Sequence, residues 1–394
     1  MKILHIIHSA NPVNGGPIEG VRQLSAVNLE RGHTVEVVTM DPPDAPWIEN
    51  FPVRIHATGP SYLGYGYTPR LAPWLEAHRR DFDIVVVNGL WQYGGYCAWN
   101  ILRNTNTPYC VFPHGMLDPW FKREYPLKHL KKWLYWPWGE YRILRDALAV
   151  FFTCEEERRL ARRSFWLYKC DEIVVNYGTR GAEGDAAKQR EIFLSAHPRL
   201  RGKRILLFLG RFHKKKGADL LLDAFRHFLN DKPEAARENL ALVMAGPQDP
   251  VDVGFLEKAK DLCREFNLDD KVVWTGMLKD DMKWGAFHSA EAFILPSHQE
   301  NFGIAVAEAL SCSLPVLISN KINIWREVTL HGAGLVESDD STGTRLLLER
   351  WWKLPQDERA AMRLRALECF QTRFEVTSTG NTFISALHML GMPK

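Results

Sequence analysis

The sequence predicts an α/β protein made of two doubly wound halves, each a parallel sheet covered by helices on both faces. Three observations carry that expectation. Short, continuously apolar runs alternate with longer segments of helical period, the pattern of strands buried on both faces. A polar, glycine-containing stretch at Tyr177–Arg201 interrupts the rhythm, which then restarts. The length of 394 residues exceeds one ordinary core and suits two.

In the first half the apolar runs predict strands over Lys2–His8, Thr34–Met40, Val53–Ala57, Ile84–Asn88, Tyr109–Pro113, Leu148–Thr153 and Glu172–Asn176. Helical spacing predicts Ile18–Arg31 and His129–Arg145 between them. After the interruption, strands are expected over Arg204–Leu209, Leu240–Ala245, Lys271–Thr275, Ala292–Leu295 and Pro315–Ser319. Helices are expected over Ala218–Leu229, Gly254–Phe266 and Ile304–Ser311. The domain expectation is residues 1–180 and 181–374, with a last helix in 375–394 crossing back to the first domain; Phe383, Ile384, Leu387 and Leu390 repeat at helical spacing there. Ligands of such sheets bind at the carboxyl ends of strands, so two halves facing each other imply a central cleft with one substrate held by each.

Composition excludes several classes. Hydrophobic residues make up 46% and charged residues 25%, ordinary for a globular protein, and a net charge of +3 does not argue for a nucleic-acid partner. The seven cysteines are scattered without a CxxC pair or Cys/His cluster, which reads as reduced thiols rather than a disulfide framework or zinc site. The opening MKILHIIHSA reads as a buried strand, not an export signal, and no run of 18 apolar residues exists. The expected location is the cytoplasm, with peripheral membrane contact.

Four segments carry chemistry. In LPSHQENFGIAVAEALSCSLPVLIS, residues 295–319, a strand ends, a polar loop presents Glu300, Asn301, Phe302 and Gly303, and a helix from Ile304 carries Glu308. Amides at that helix entrance favour an anion such as a diphosphate, and the two carboxylates suit sugar hydroxyls. A solvated Glu300, and a Glu308 paired with a nearby cation, is the plain alternative. In LGRFHKKKGADLLLDAF, residues 209–225, Arg211 follows a strand and Lys216 precedes Gly217 at a helix start. Two fixed cations there would neutralise a departing diphosphate without a metal; a solvated basic loop is the alternative. Gly15-Gly16 follows the first strand and opens a helix, as a phosphate-hugging loop or a plain turn. His114, in VFPHGMLD, ends another strand of the same half. It is placed to donate to a sugar hydroxyl, to act as a base, or to serve structure alone.

These residues resemble a known family. Glu300–Glu308 reproduces the E-x7-E motif of the retaining glycosyltransferases of family 4, which have the GT-B fold of two Rossmann-like domains around a central cleft. Leu209-Gly210-Arg211 with Lys216-Gly217 looks like that family's phosphate-binding pair. Asn176-Tyr177-Gly178 resembles its turn at the domain junction, and Gly15-Gly16 and His114 its glycine loop and amino-terminal histidine. The resemblance implies that Arg211 and Lys216 bind the diphosphate, that Glu300 holds the donor sugar, and that amides near Phe302–Ile304 support sugar and phosphate. It implies that Glu308 binds the ribose, that the base lies against Thr275–Leu278 (Gly276 and Leu278), and that His114 faces the reacting sugar with Gly16 near the phosphates. It further implies transfer with retention, no cofactor and no metal, and no convincing Asp-x-Asp pocket motif is present; a UDP-sugar donor, with glucose as the first guess, is the starting assumption. A saccharide or lipid-linked saccharide acceptor in cell-surface polysaccharide synthesis completes the expectation. Ser313 stands where many relatives have glycine.

On the acceptor side, residues 119–148 mix Trp120, Trp133, Trp136 and Trp138 with Lys122, Arg123, Lys128, Lys131 and Lys132. That face reads as a contact for anionic headgroups, or as a core of tryptophans beneath solvated lysines. Trp91–Gly95 and Tyr62–Tyr67 are candidates for an acceptor sugar. Two other functions compete. A dinucleotide oxidoreductase would have G-x-G-x-x-G after the first strand, where NPVNGGPIEG lacks the spacing. A non-catalytic nucleotide-sugar sensor or membrane scaffold would not need Arg211, Lys216, Glu300 and Glu308 together.

Overall fold

The computed structural model describes residues 1–231, 239–250 and 252–393. The chain divides into two compact units, Met1–Thr179 with Val376–Lys394, and Arg180–Glu375.

Unit 1 is built on β1 (Lys2–Ile7), β2 (Thr34–Thr39), β3 (Arg54–Ala57), β4 (Ile84–Asn88), β5 (Tyr109–Phe112), β6 (Ala149–Phe152) and β7 (Glu172–Val174). They lie in the order β3-β2-β1-β4-β5-β6-β7, and every pairing is parallel. The central strand IVVVN is buried throughout, as β-branched residues covered on both faces require. Side chains alternate between two cores. Leu4, Ile6, Val85 and Val87 join Leu102, Trp136 and Phe165 on one face. Ile3, Ile7, Ile84 and Val86 join Ile18 and Val21 of the helix Gly16–Glu30 on the other. The last helix, Val376–Met389, inserts Phe383 and Leu387 into that second core. Each such side chain contributes roughly 1.5–3 kcal/mol on burial.

Unit 2 is built on β8 (Arg204–Leu209), β9 (Leu240–Ala245), β10 (Val272–Gly276), β11 (Ala292–Leu295), β12 (Val316–Ser319) and β13 (Gly334–Glu337). Their order is β10-β9-β8-β11-β12-β13, again parallel throughout. In each sheet the strand order reverses once, between β1 and β4 and between β8 and β11. Such a reversal opens a crevice outside the carboxyl ends of the strands, where ligands settle.

Three local expectations change. The stretch 177–201 is not all linker: Ala186–Ala196 is a helix of unit 2, started by Asp185, whose carboxylate accepts from the amides of Ala187 and Lys188. The helix expected over His129–Arg145 is two, Pro126–Tyr135 and Glu140–Arg145. Pro137 and Gly139 lie between them, and Gly139 leaves helical geometry at φ −111° and ψ −102°. The edge strand β13 is additional; its four residues begin on glycine and carry little apolar pattern.

Candidate active site

In unit 2 the loops after β8 and β11 come together at the sheet's reversal point. Arg211 follows β8 by two residues. Its guanidinium Nη1 lies 3.4 Å from Asp249, a buried carboxylate after β9, while half of its own side chain stays open to solvent. A single turn, Lys214–Lys216, is closed by His213, whose Nδ1 accepts from the Lys215 amide at 3.0 Å. Of the three lysines in the run, Lys216 is the one that reaches the Glu300 carboxylate. Burial and the like charges of Lys215 and Arg211 push its ammonium down, and Asp249 pulls it back. Contact with the Glu300 carboxylate likewise favours the charged form.

The two loops are tied by their backbones. The Lys215 carbonyl accepts from Ser297 Oγ and from the His298 amide, both at 2.8 Å. Glu300 is clamped on both sides, its amide donating to Lys321 O and its carbonyl accepting from the Asn323 amide, each at 3.0 Å. A Cβ on Gly217 would meet the Pro296 carbonyl oxygen at 2.4 Å, and its φ of +69° suits glycine, so this close approach excludes other residues.

Two helices begin at these loops, Ala218–Asn230 behind Gly217 and Ile304–Ser311 behind Gly303. Most helix starts carry Ser, Thr, Asp or Asn. Neither of these has a side-chain cap, so their first amides and the positive ends of their dipoles are offered to an anion. Asn301 and Phe302 complete the loop, with Phe302 buried against Phe374. Glu308 lies along the second helix and accepts from Lys283 Nζ at 2.8 Å. The plain expectation for that carboxylate, a cation partner, is therefore realised. Gly276 ends β10 and accepts from the Gly246 amide at 2.8 Å, and Leu278 follows in the partly exposed loop beyond it.

In unit 1 the glycine loop and His114 meet through a third residue. Gly15 precedes the helix Gly16–Glu30, which also lacks a side-chain cap. Tyr177 Oη donates toward the carbonyls of Gly16 (3.3 Å) and Pro17 (3.0 Å). The ring of Tyr177 stands edge-on to His114 with centroids 5.7 Å apart. His114 Nε2 lies 3.1 Å from Asn88 Oδ1. The Asn88 amide donates to Val86 O (3.1 Å) and toward His5 Nδ1 (3.2 Å), which assigns Oδ1 to the histidine and the ring proton to Nε2. Burial, with His5 nearby, pushes His114 down to about 3. A neutral ring with its proton committed to Asn88 presents Nδ1 as an acceptor. To donate from Nε2 to a sugar hydroxyl, the ring would have to release Asn88 Oδ1.

Sequence reasoning missed Asp249, Lys283, Asn88 and Tyr177 as partners in the site. Asp249 and Asn88 sit at or just beyond strand ends, where the strand-end rule could have found them. Lys283 carries no local signal; the fold alone sets it beside a residue 25 positions away.

Comparison with known proteins bears on the family and the fold. Residues 189–366 match the family described as glycosyl transferases group 1, and residues 15–177 match the glycosyl transferase 4-like domain. Mannosylfructose-phosphate synthase of Agrobacterium fabrum is 24% identical over 80% of this chain and 73% of its own length. D-inositol 3-phosphate glycosyltransferase of Kineococcus radiotolerans is 29% identical over 53% of this chain, which spans about half (47%) of that relative. Among solved structures, sucrose-phosphate synthase from Thermosynechococcus elongatus superposes with a TM-score of 0.78 at 20% identity, covering 99% of both chains. HepE of Anabaena, solved in complex with UDP-glucose, gives a TM-score of 0.77 at 15% identity over 99% of this chain and 100% of its own. The architecture is the GT-B fold of glycosyltransferases. The chain belongs to the group 1 glycosyltransferases, with a 4-like domain in its amino-terminal half.

Proposed function

We propose that this glycosyltransferase moves a hexose, glucose in the first instance, from a UDP-sugar to a saccharide or lipid-linked saccharide, with retention of configuration and without a metal. The contact between Lys216 and Glu300 supports the reading above all else. In a sugar nucleotide the anomeric carbon is bonded to a phosphate oxygen, so the group that neutralises the phosphate and the group that holds the sugar must be neighbours. These two residues are 84 positions apart in sequence and touch. In this scheme Arg211, oriented by Asp249, and Lys216 neutralise the departing diphosphate, the charge a metal would otherwise carry. The amides at Gly303–Ile304 support the phosphate, Glu300 orients the sugar hydroxyls, and Glu308 exchanges part of its bond to Lys283 for the ribose. The acceptor attacks from the face the phosphate leaves, and the phosphate oxygen takes the acceptor proton. His114 accepts a sugar hydroxyl at Nδ1. HepE, solved with UDP and with UDP-glucose, supports UDP as the first nucleotide to test.

No helix among the described residues is long and apolar enough to cross a membrane. Peripheral contact with the cytoplasmic leaflet is part of the proposal. The helix Pro126–Tyr135 has no buried residue, and it exposes Leu127, Leu130, Trp133 and Leu134 beside Lys128 and Lys131. An apolar face flanked by cations suits an anionic lipid surface. Trp136 takes no part in that face: it is fully buried and stacked on Phe165 at 4.1 Å.

Thermal shift with UDP, GDP, ADP and NAD tests the donor assignment. Selective stabilisation by UDP, followed by slow hydrolysis of UDP-glucose in chelator, is the expected result. Stabilisation by NAD alone overturns the transferase reading, and UDP binding without hydrolysis or transfer indicates a sensor.

A further inference from the structure

Unit 1 contains a cavity of about 600 Å³ lined by Tyr65, Tyr67, Trp91, Tyr93, Tyr96 and Tyr135. Its wall is assembled from the loop after β3, the loop after β4 with the first turn of the helix Tyr93–Leu102 that follows it, and the end of the helix Pro126–Tyr135. Tyr67 and Tyr93 meet edge to face with centroids 4.9 Å apart, and Tyr65 Oη lies 3.3 Å from Tyr135 Oη. Trp91 holds a φ of +65°, a costly conformation for a bulky residue. It is fixed there by Glu140, whose carboxylate accepts the Trp91 amide. Glu140 is 1% exposed, and its other oxygen, Oε2, has no hydrogen-bond partner among the described residues. Lys132 Nζ covers the Trp91 ring at 4.5 Å.

From this wall we infer that the cavity is a subsite for an uncharged saccharide, which makes the acceptor of the proposed transferase a neutral sugar rather than a sugar phosphate. The inference rests on the transferase reading for the word acceptor, but not for the binding itself. The volume falls within the range of small-molecule sites. Every lining side chain is an aromatic ring with a hydroxyl or indole N–H at its edge. A pyranose has the complementary shape: an apolar C–H face to lie on a ring, and peripheral hydroxyls to meet the phenols. A hydrocarbon chain would make no use of the phenol hydroxyls around the rim, and no aliphatic side chain lines the cavity. A phosphate would call for cations, preferably arginines. The lining has none: the nearby Lys132 is not part of it, lying over the Trp91 ring and interacting with Glu140. The buried Glu140 carboxyl, raised by desolvation to about 7, stands behind the wall and holds Trp91 in place rather than lining the cavity.

Saturation-transfer NMR on the full chain tests this with three sets of probes. One is neutral (maltose, cellobiose, lactose and methyl α-mannoside), one is phosphorylated (glucose 6-phosphate and myo-inositol 3-phosphate), and one is lipid (farnesyl monophosphate). At least one neutral sugar is expected to bind at millimolar concentration, and Tyr93→Ala and Tyr67→Ala are each expected to weaken it tenfold or more. Tyr93→Phe, which keeps the ring, is expected to retain most of the binding. Stabilisation by UDP should stay as in the wild type in all three variants. The inference is overturned if no neutral sugar binds, if the variants bind it unchanged, or if only the phosphorylated or lipid probes depend on Tyr93. Failure of UDP to stabilise the wild type would instead count against the donor assignment.

Discussion

The two units share a topology and present different chemistry at their reversal points. In unit 2 the loops after β8 and β11 bring together charges: Arg211 with Asp249, Lys216 with Glu300, and Lys283 with Glu308. In unit 1 the carboxylates at the corresponding strand ends, Asp41 and Glu157, accept from backbone amides. Asn88 bridges two uncharged histidines, His5 and His114, and the nearby cavity is walled by aromatic rings. The difference follows from what each would hold. A diphosphate demands fixed cations and open helix starts, whereas a sugar ring asks for flat apolar surfaces with hydroxyls around them.

The largest effect is expected at the point where the two chemistries of the donor meet. Glu300→Gln should lower kcat by about 10²–10³-fold, or roughly 3–4 kcal/mol, since a preorganised polar contact to the reacting sugar is lost. Glu300→Ala should do the same. Circular dichroism and UDP binding should remain close to wild type, because Glu300 is held through its backbone. Wild-type turnover in either variant would remove Glu300 from the proposed mechanism. Next in size is Arg211→Ala, which should weaken UDP binding by about 2–3 kcal/mol as a charge-assisted contact disappears. Calorimetry would measure it, and an unchanged Kd would mean that the Asp249–Arg211 pair is only structural.

The buried histidine pair of unit 1 has its own signature in pH. His5 is fully buried, and burial lowers it from 6.5 to about 4. Between these values the unfolded chain binds the proton and the folded chain does not. The contribution is therefore complete above about pH 6.5 and is lost progressively as pH falls toward 4. From pH 7 to pH 5 it should cost about 2 kcal/mol. His5→Gln, which still offers Asn88 an acceptor, should flatten the pH dependence of urea unfolding by that amount. Parallel curves for variant and wild type would show that His5 is not held neutral.

The same contrast explains what the sequence could show. Alternation of apolar runs and helices marked nearly every strand, and Arg211, Lys216 and Glu300 in loops after strands, with Glu308 in the helix that follows, made the charged cluster legible. Charge acts at fixed positions close to helix starts, so it leaves a short local pattern. The aromatic wall comes from three separate pieces of chain, and only Trp91–Gly95 and Tyr62–Tyr67 suggested themselves; Tyr96 and Tyr135 join them through the fold. The helix Ala186–Ala196 was hidden because it buries only Gln189, Phe193 and Leu194, and because its packing partner, Asp280–Ser289, lies about 90 residues on. There a Cβ on Gly285 would meet the Gln189 carbonyl at 2.2 Å, a close approach that no local pattern announces.

The smallest expected effect tests whether unit 1 has a connected site at all. Tyr177→Phe keeps the ring against His114 and removes only the hydroxyl that donates toward Gly16 O and Pro17 O. The loss should be about 1 kcal/mol of stability, the net worth of one buried hydrogen bond. If the hydroxyl also positions the glycine loop, KM for the donor should rise several-fold while kcat changes less. A purely structural bond would lower Tm and leave KM unchanged. That outcome would separate Gly15-Gly16 from His114 and leave the charged loops of unit 2 as the whole of the donor site.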